Sequence, residues 1–475
     1  MGFNLHLLLG SGTGKMPVPQ KFVPHKLVPH KFKLTVGWAS CPPLKSWLQI
    51  LQLFSFHKLW GFWSIALITL TLTITVFLRL HSPPTTAAQK PRILAFTALQ
   101  RRGSEVRNSL FAVNATNSAR RELAPNIDVS YTLVWSPKGD RLAFVSGDTD
   151  IYTVNADGSG LTKQFAGEFC KAANFKIAWF SNSQKLVFAR SCDGFTSDSP
   201  GSQSLYTSDI SGIQGTKLVR DWEVGGEPPK TEISSAFYLS PDGEEVAFVK
   251  DQNIYKMNAD GSGMTKLTQS PGEYTSGGSE LVWSGDRTKI AFWFGTYPQQ
   301  QIYTINADGT NLKNLTNNPQ NQVYNVKLFW SPDSSRIAYY QGKAGDLSGE
   351  KQDICAIDIN RGTAQNLTQK PQNYDTLSWS PDGKLIAFAA GDFNHQKLYT
   401  INADGDKLNQ LAPRLELSGI SELAWSSDSQ QIAFTFNESQ GDKSNLYAIN
   451  HDGSGLTKLT NDKDLNASSP LWQPQ

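Results

Sequence analysis

Leu377-Ser378-Trp379-Ser380-Pro381-Asp382-Gly383, then Ile386-Ala387-Phe388, then Leu398-Tyr399-Thr400-Ile401-Asn402-Ala403-Asp404-Gly405, is the stretch whose reading decides the fold. Its first part reads as a strand ending in a tryptophan. Pro381 presets φ for a turn, Asp382 accepts local backbone hydrogen bonds, and Gly383 takes the positive φ that closes it. Ile386-Ala387-Phe388 alternates large, small, large, as a strand with two covered faces must. A third strand ends at Asn402, and Asn402-Ala403-Asp404-Gly405 turns into a fourth over residues 408–411.

The same unit recurs. Its aromatic landmark falls at Trp135, Trp179, Tyr238, Trp283, Trp330, Trp379, Trp425 and Trp472, spaced 44 to 59 residues apart. Four antiparallel strands every ~45 residues mark a propeller blade. Such a sheet buries its apolar faces only against neighbouring blades, so several copies are obligatory. Seven complete units begin at the landmarks from Trp135 to Trp425. Two fragments remain. Residues 93–96, 109–114 and 122–124 match strands two, three and four, and residues 469–474 match strand one. Together they make one more blade, which closes the ring and removes its open sheet edges. The predicted fold class is all-β, a β-propeller of eight four-stranded blades preceded by one transmembrane helix. A seven-bladed ring with residues 90–125 outside it is the alternative.

The unit resembles the WD-repeat-like propeller repeats of the TolB family and of prolyl oligopeptidase-type propellers. Residues 378–388 fit that pattern nearly residue for residue, and Ser469-Pro470-Leu471-Trp472-Gln473-Pro474 is similar to the closing strand of TolB. The resemblance covers roughly residues 90–475 and implies a scaffold that binds protein or peptidoglycan-associated partners in the cell envelope. There are departures. TolB places an α/β domain before a six-bladed propeller, whereas only about ten residues here separate an apolar run from the first strand. Prolyl oligopeptidase relatives follow the propeller with a hydrolase domain, but this sequence ends at Gln475 and contains no G-x-S-x-G nucleophile elbow.

Composition agrees with a repetitive globular chain. With 475 residues it exceeds what one core supports, and 39% hydrophobic with 18% charged residues is not the balance of a disordered one. The net charge of +2 hides an asymmetry. Residues 1–81 hold seven lysines, Arg79 and no acid, so they carry +8 and the remainder −6. A mildly acidic propeller is not a nucleic-acid surface.

Residues 59–78, LWGFWSIALITLTLTITVFL, form an uncharged run of twenty. As a helix rising ~1.5 Å per residue it spans ~30 Å, the thickness of a bilayer's hydrocarbon core. Lys58 and Arg79 bound it, and Trp60 and Trp63 suit the interface. The lysine-rich leader predicts a cytoplasmic N-terminus and an uncleaved signal anchor. The domain reading is therefore a basic cytoplasmic tail containing Pro and His (1–57), a signal anchor (58–80), a linker (81–91) and the propeller (92–475). The propeller is then extracytoplasmic, periplasmic in a bacterium. Gly10-Ser11-Gly12-Thr13-Gly14-Lys15 imitates a phosphate loop, but Leu9 stands at the first glycine position, Met16 replaces the hydroxyl, and Pro17 and Pro19 spoil the helix. The tandem Val-Pro-His-Lys sequences around His25 and His30 offer too few ligands for a metal.

Catalytic and metal signals in the repeats are weak. Asp157, Asp260, Asp308, Asp404 and Asp452 sit in N-x-D-G turns but lack the further oxygens of a calcium loop. Hairpin chemistry accounts for them, as it does for Asp242, Asp333, Asp382 and Asp428. Oligogalacturonate lyases, which have similar repeats, need a histidine-rich metal centre, and only His395 and His451 lie past residue 81. No metal, cofactor or catalytic residue is assigned. Cys170 and Cys192 flank one hairpin and are a candidate disulfide outside the cytoplasm. Cys355, where sibling repeats have Tyr, reads as core.

A binding surface follows from topology. The one-to-two and three-to-four turns share one rim and are stereotyped. The two-to-three and four-to-one connections share the other and vary in length, most in 190–204, 220–235 and 341–352. Varied loops on a rigid scaffold are where recognition residues sit. The candidates there are Trp222, Tyr274, Tyr297, Tyr324 and Tyr374, with Glu223, Glu280, Asp375 and Glu422. The expected function is that of a non-enzymatic, membrane-anchored binding propeller, monomeric, with a protein or cell-envelope partner. The competing class is a polysaccharide lyase or hydrolase using rim carboxylates.

Overall fold

The computed structural model describes residues 92–474 except for several internal stretches, the longest being 193–201, 221–236, 269–280, 317–326 and 343–350. The described residues form eight four-stranded antiparallel sheets. In the sixth blade the strands are Tyr374–Trp379, Leu385–Ala390, Lys397–Asn402 and Asn409–Leu411. Gly383 and Gly405 close its two stereotyped turns at φ of +69° and +84°, values a side chain resists.

Ring closure uses both ends of the propeller sequence. The last strand, Leu465–Trp472, pairs with Ile93–Arg102, which pairs with Glu105–Asn114 and that with Arg120–Glu122. The register sets Leu94 opposite Trp472 and Leu99 opposite Asn466. The expected eighth blade is present.

The apolar cores lie between blades. Each of the eight core clusters joins two neighbouring sheets, which is why a chain this long needs no single large core. The large-small-large strand supplies the fit. Ile386 and Phe388 pack toward the fifth blade with Trp379, while the small Ala387 receives Trp425, Ile432 and Phe434 of the seventh. The first strands of consecutive blades touch all the way round, so they form the inner wall of the ring.

The tryptophans also fasten the blades. Seven indole N–H groups, from Trp135, Trp179, Trp283, Trp330, Trp379, Trp425 and Trp472, each donate to a backbone carbonyl of the preceding blade at 2.9–3.2 Å. The eighth position corrects one reading. The landmark of the third blade is Leu239, not Tyr238: Leu239 lies opposite Val246, as Trp379 lies opposite Ile386. Tyr238 instead offers its carbonyl to Trp283, the part played elsewhere by the residue before the tryptophan. The turn Ser240-Pro241-Asp242-Gly243 sets this register, and an aromatic one residue early mimicked the missing indole.

The apolar run 59–78 lies outside the described residues. Among those described, no helix is long and apolar enough to cross a membrane.

Candidate functional site

The two rims differ in how far their polar groups are already engaged. On the stereotyped rim, Ser240, Ser284, Ser331, Ser380 and Ser426 each donate a hydroxyl to the Asp two residues on, at 2.5–2.7 Å. The same hydroxyls accept the N–H five residues on. In the N-x-D-G turns, Asp157, Asp260, Asp308 and Asp452 take both the N–H and the hydroxyl of the Ser or Thr two residues later. Those hydroxyls are the main reason the four carboxyls sit below the ordinary aspartate pKa. For Asp242, Asp286, Asp333 and Asp382 burial acts upward, but the turn donors outweigh it and the net direction is again down. The acids of this rim are turn acceptors, as their sequence context suggested.

On the variable rim, three of the nine candidate residues are described: Tyr374, Asp375 and Glu422. Tyr374 is half-buried, its ring edge-on to Phe388 at 5.5 Å and its hydroxyl donating to the Lys370 carbonyl at 2.8 Å. Burial raises its pKa. Asp375 is exposed and accepts the Thr376 N–H at 3.0 Å and the Gln396 amide at 3.4 Å. Glu422 lies just before Leu423–Trp425 with its carboxylate 3.5 Å from the Ser469 hydroxyl of the closing blade. Glu422 is exposed as a residue, yet the chain around its carboxylate desolvates it and raises its pKa, against the lowering pull of Ser469.

Gln396 connects two of these. Its buried amide reaches Asp375 through Nε2 and accepts the Ile420 N–H at 2.6 Å, two residues before Glu422. Asp375 and the approach to Glu422 are thus held by one rigid side chain spanning adjacent blades. No sequence signal marked Gln396, because a glutamine in a polar connection looks like any other surface residue.

Trp222, Glu223, Tyr274, Glu280, Tyr297 and Tyr324 lie outside the described residues, as does Cys170 of the candidate disulfide; of the Cys192 side chain nothing is described. Among the described residues no group of three His, Cys, Asp or Glu side chains is placed to hold a metal. Cys355 is a buried free thiol, 1% exposed, donating to Gln341 Oε1 at 3.0 Å.

Residues 226–418 match the family model described as the TolB beta propeller domain, so the repeat is of the TolB-like kind. No curated protein matches the chain. Among solved structures, dipeptidyl peptidase 4 of Porphyromonas gingivalis is 15% identical with a TM-score of 0.51, over 70% of this chain and 53% of that one. A structure described as the eukaryotic initiation factor is 12% identical with a TM-score of 0.50, over 82% of this chain and 99% of that one. TolB from Acinetobacter baumannii is 14% identical with a TM-score of 0.37, over 82% and 84%. At such identities the likeness concerns the fold alone.

Proposed function

On the premise of a TolB-like repeat closed into eight blades, we propose that the chain is a non-enzymatic, membrane-anchored scaffold that binds a protein or peptidoglycan-associated partner through its variable rim. The observation that carries this reading is the asymmetry of the rims. Most aspartates of the stereotyped rim are engaged by donors of their own turns, and Asp242 and Asp428 by an arginine as well, whereas Asp375 and Glu422 are exposed residues with few donors on a support braced by Gln396. The anchor of this reading is the apolar run of residues 59–78. The anchor's lysine-rich flank favours a cytoplasmic N-terminus and an extracytoplasmic propeller.

The test is site-specific photo-crosslinking of the full chain in its native membrane. A crosslinker at Tyr374 or Asp375 is expected to capture one discrete partner, and one at Asp308 none. Equal yields from both rims would sink the reading. Protease added to the cytoplasmic face should leave the propeller intact, and its digestion from that side would refute the topology.

A second reading rests on Glu422. A carboxylic acid with a raised pKa suits a general acid, as a lyase or hydrolase would need. Glu422→Gln separates the two: loss of a polysaccharide-cleaving activity identifies an enzyme, and unchanged crosslinking with no such activity identifies a scaffold.

A further inference from the structure

One hairpin outgrows its siblings. In the other seven blades the second and third strands pair over six to eight positions, whereas Ile93–Arg102 and Glu105–Asn114 pair over ten. Leu94 lies opposite Trp472 as Ile386 lies opposite Trp379, so Ile93 matches Leu385 and Ala98 matches Ala390. The extra pairs are therefore residues 99–102 with 105–108, at the variable end. They carry the closing blade about 13 Å further along that rim than the sixth blade reaches.

This extension is covered less than the rest of its sheet. On the outer edge, Arg120–Glu122 pairs only with residues 111–113. Asn108 turns its N–H outward to the Asp128 carboxylate at 2.9 Å, so by alternation Val106 turns its own N–H and C=O the same way, past the last described strand. Ala95, Leu110 and Ala112 pack on the first blade, and Leu99 and Val106, in phase with them, are 42% and 52% exposed. Of the six large apolar side chains exposed among the described residues, the other four follow N-x-D-G turns of the stereotyped rim. Arg101 lies opposite Val106 and is exposed, while Arg107, on the other face, is paired with Glu105 at 3.2 Å. Charge follows the same division. Residues 92–124 hold six arginines and two glutamates, a net +4; with +9 on residues 1–91 and +2 on the whole chain, residues 125–475 carry −11.

We propose that the projecting hairpin docks an acidic, extended segment of a protein partner. The segment adds a short strand beside Val106, sets a carboxylate on Arg101 and rests an apolar side chain on Leu99 and Val106. An open backbone edge takes a strand, and an exposed arginine beside it selects a carboxylate. The acidic remainder of the ring repels such a segment elsewhere and confines it to this blade. Asp128 ends the available edge at Asn108, so the added strand is short and side chains supply much of the affinity. The proposal deepens the reading of the variable rim as the partner face and rests on it.

The experiment is fluorescence anisotropy of the full chain in detergent micelles. The probe is a labelled, capped peptide alternating glutamate and valine. Its two controls carry lysine for glutamate or a methyl group on alternate backbone nitrogens. The glutamate peptide is expected to bind at least about tenfold tighter than either control. Arg101→Glu should weaken it about tenfold or more, Arg101→Lys should keep most of the affinity, and Lys384→Glu on the stereotyped rim should change nothing. Val106→Pro removes the outward N–H while leaving the pairing with Ile93–Arg102, and should abolish binding. Should the proline unsettle the hairpin, Leu99→Ser with Val106→Ser alters only exposed side chains and should weaken binding several-fold with an unchanged thermal midpoint. Equal affinity for the N-methylated peptide would reduce the site to a charge patch open to any polyanion or membrane, and overturns the proposal. Equal affinity for the lysine peptide, indifference to Arg101→Glu, or no binding below about 1 mM peptide overturns it too. If one of these results stands beside continued capture of a partner from Tyr374, the variable rim keeps its role and the hairpin loses its own.

Discussion

Position 355 carries a thiol where sibling blades carry a phenol. In six blades a second-strand Phe stacks on a third-strand Tyr, as Phe144 does on Tyr152 at 5.7 Å and Phe388 on Tyr399 at 5.5 Å. In the fifth blade Tyr339 occupies the Phe position opposite Cys355, so this pair keeps one ring and has a small thiol in place of the other. Burial pushes the Cys355 thiol up to about 12, with Asp353 adding to the shift and the Tyr339 hydroxyl opposing it. The thiolate is the reactive form. Cys355 should therefore resist iodoacetamide at pH 8 in the folded protein and react on unfolding, as peptide mapping will show; prompt native labelling would contradict its packing. The indoles make a second prediction. Trp379→Phe keeps most of the ring but loses the 3.0 Å bond to the Phe329 carbonyl, which should cost about 1 kcal/mol by denaturant titration. Sequence made this role half legible. Seven landmarks were right because tryptophan is rare enough to stand out, and the eighth was misplaced because an aromatic outranked the turn that sets the register. The Lys176–Tyr238 pair could not be read at all, since it joins strands some sixty residues apart across an interface.

Turns are the elements whose behaviour is easiest to derive from composition. Most repeat Ser or Asn and Asp at fixed offsets, each with one hydrogen-bonding role, and the positive-φ position that closes the first turn is Gly139, Gly243 or Gly383 in three blades and Ser183, Arg287, Ser334 or Ser429 in four. That regularity made the stereotyped rim fully legible. The opposite rim has no repeat to compare against, so only its residue types, and not their mutual placement, could be anticipated. The turn acids predict a pH profile. Asp157, Asp260, Asp308 and Asp452 have folded pKa values below the unfolded value of about 3.9. The unfolded chain thus binds protons first on acidification. Their stabilising contribution is complete above about pH 4 to 5 and is lost as pH falls through the folded values. The thermal midpoint should be flat above pH 5 and drop between about pH 4 and 2. Replacing all four by Asn, which retains an acceptor but no charge, should make that drop shallower. A profile unchanged by the four substitutions would mean other carboxylates govern acid unfolding.

The whole ring poses the question of where it opens first. The joint between chain ends is the intuitive place, since no covalent link spans it. Its construction says otherwise. Ile93–Arg102 pairs with Glu105–Asn114 over ten positions and with Leu465–Trp472 across the joint. The Trp472 indole binds the Ala424 carbonyl, Gln473 reaches the Gly139 carbonyl at 2.6 Å, and Leu94, Phe96 and Leu446 seal the core beneath. By contrast, among the described residues the junction of the second and third blades has no indole bridge, and its core cluster contains no tryptophan. A missing buried hydrogen bond costs on the order of 1 kcal/mol, and the smaller side chain forfeits apolar contact besides. Native-state hydrogen exchange of the full chain in micelles checks this. Amides of Lys185–Cys192 and Glu245–Lys250 should exchange through a partial opening at lower free energy than those of Ile93–Arg102. Leu239→Trp should close the gap between them, because it supplies the absent donor to Ala178. If Ile93–Arg102 and Leu465–Trp472 exchange first instead, the ring opens at its ends and the leucine junction is as firm as the other seven.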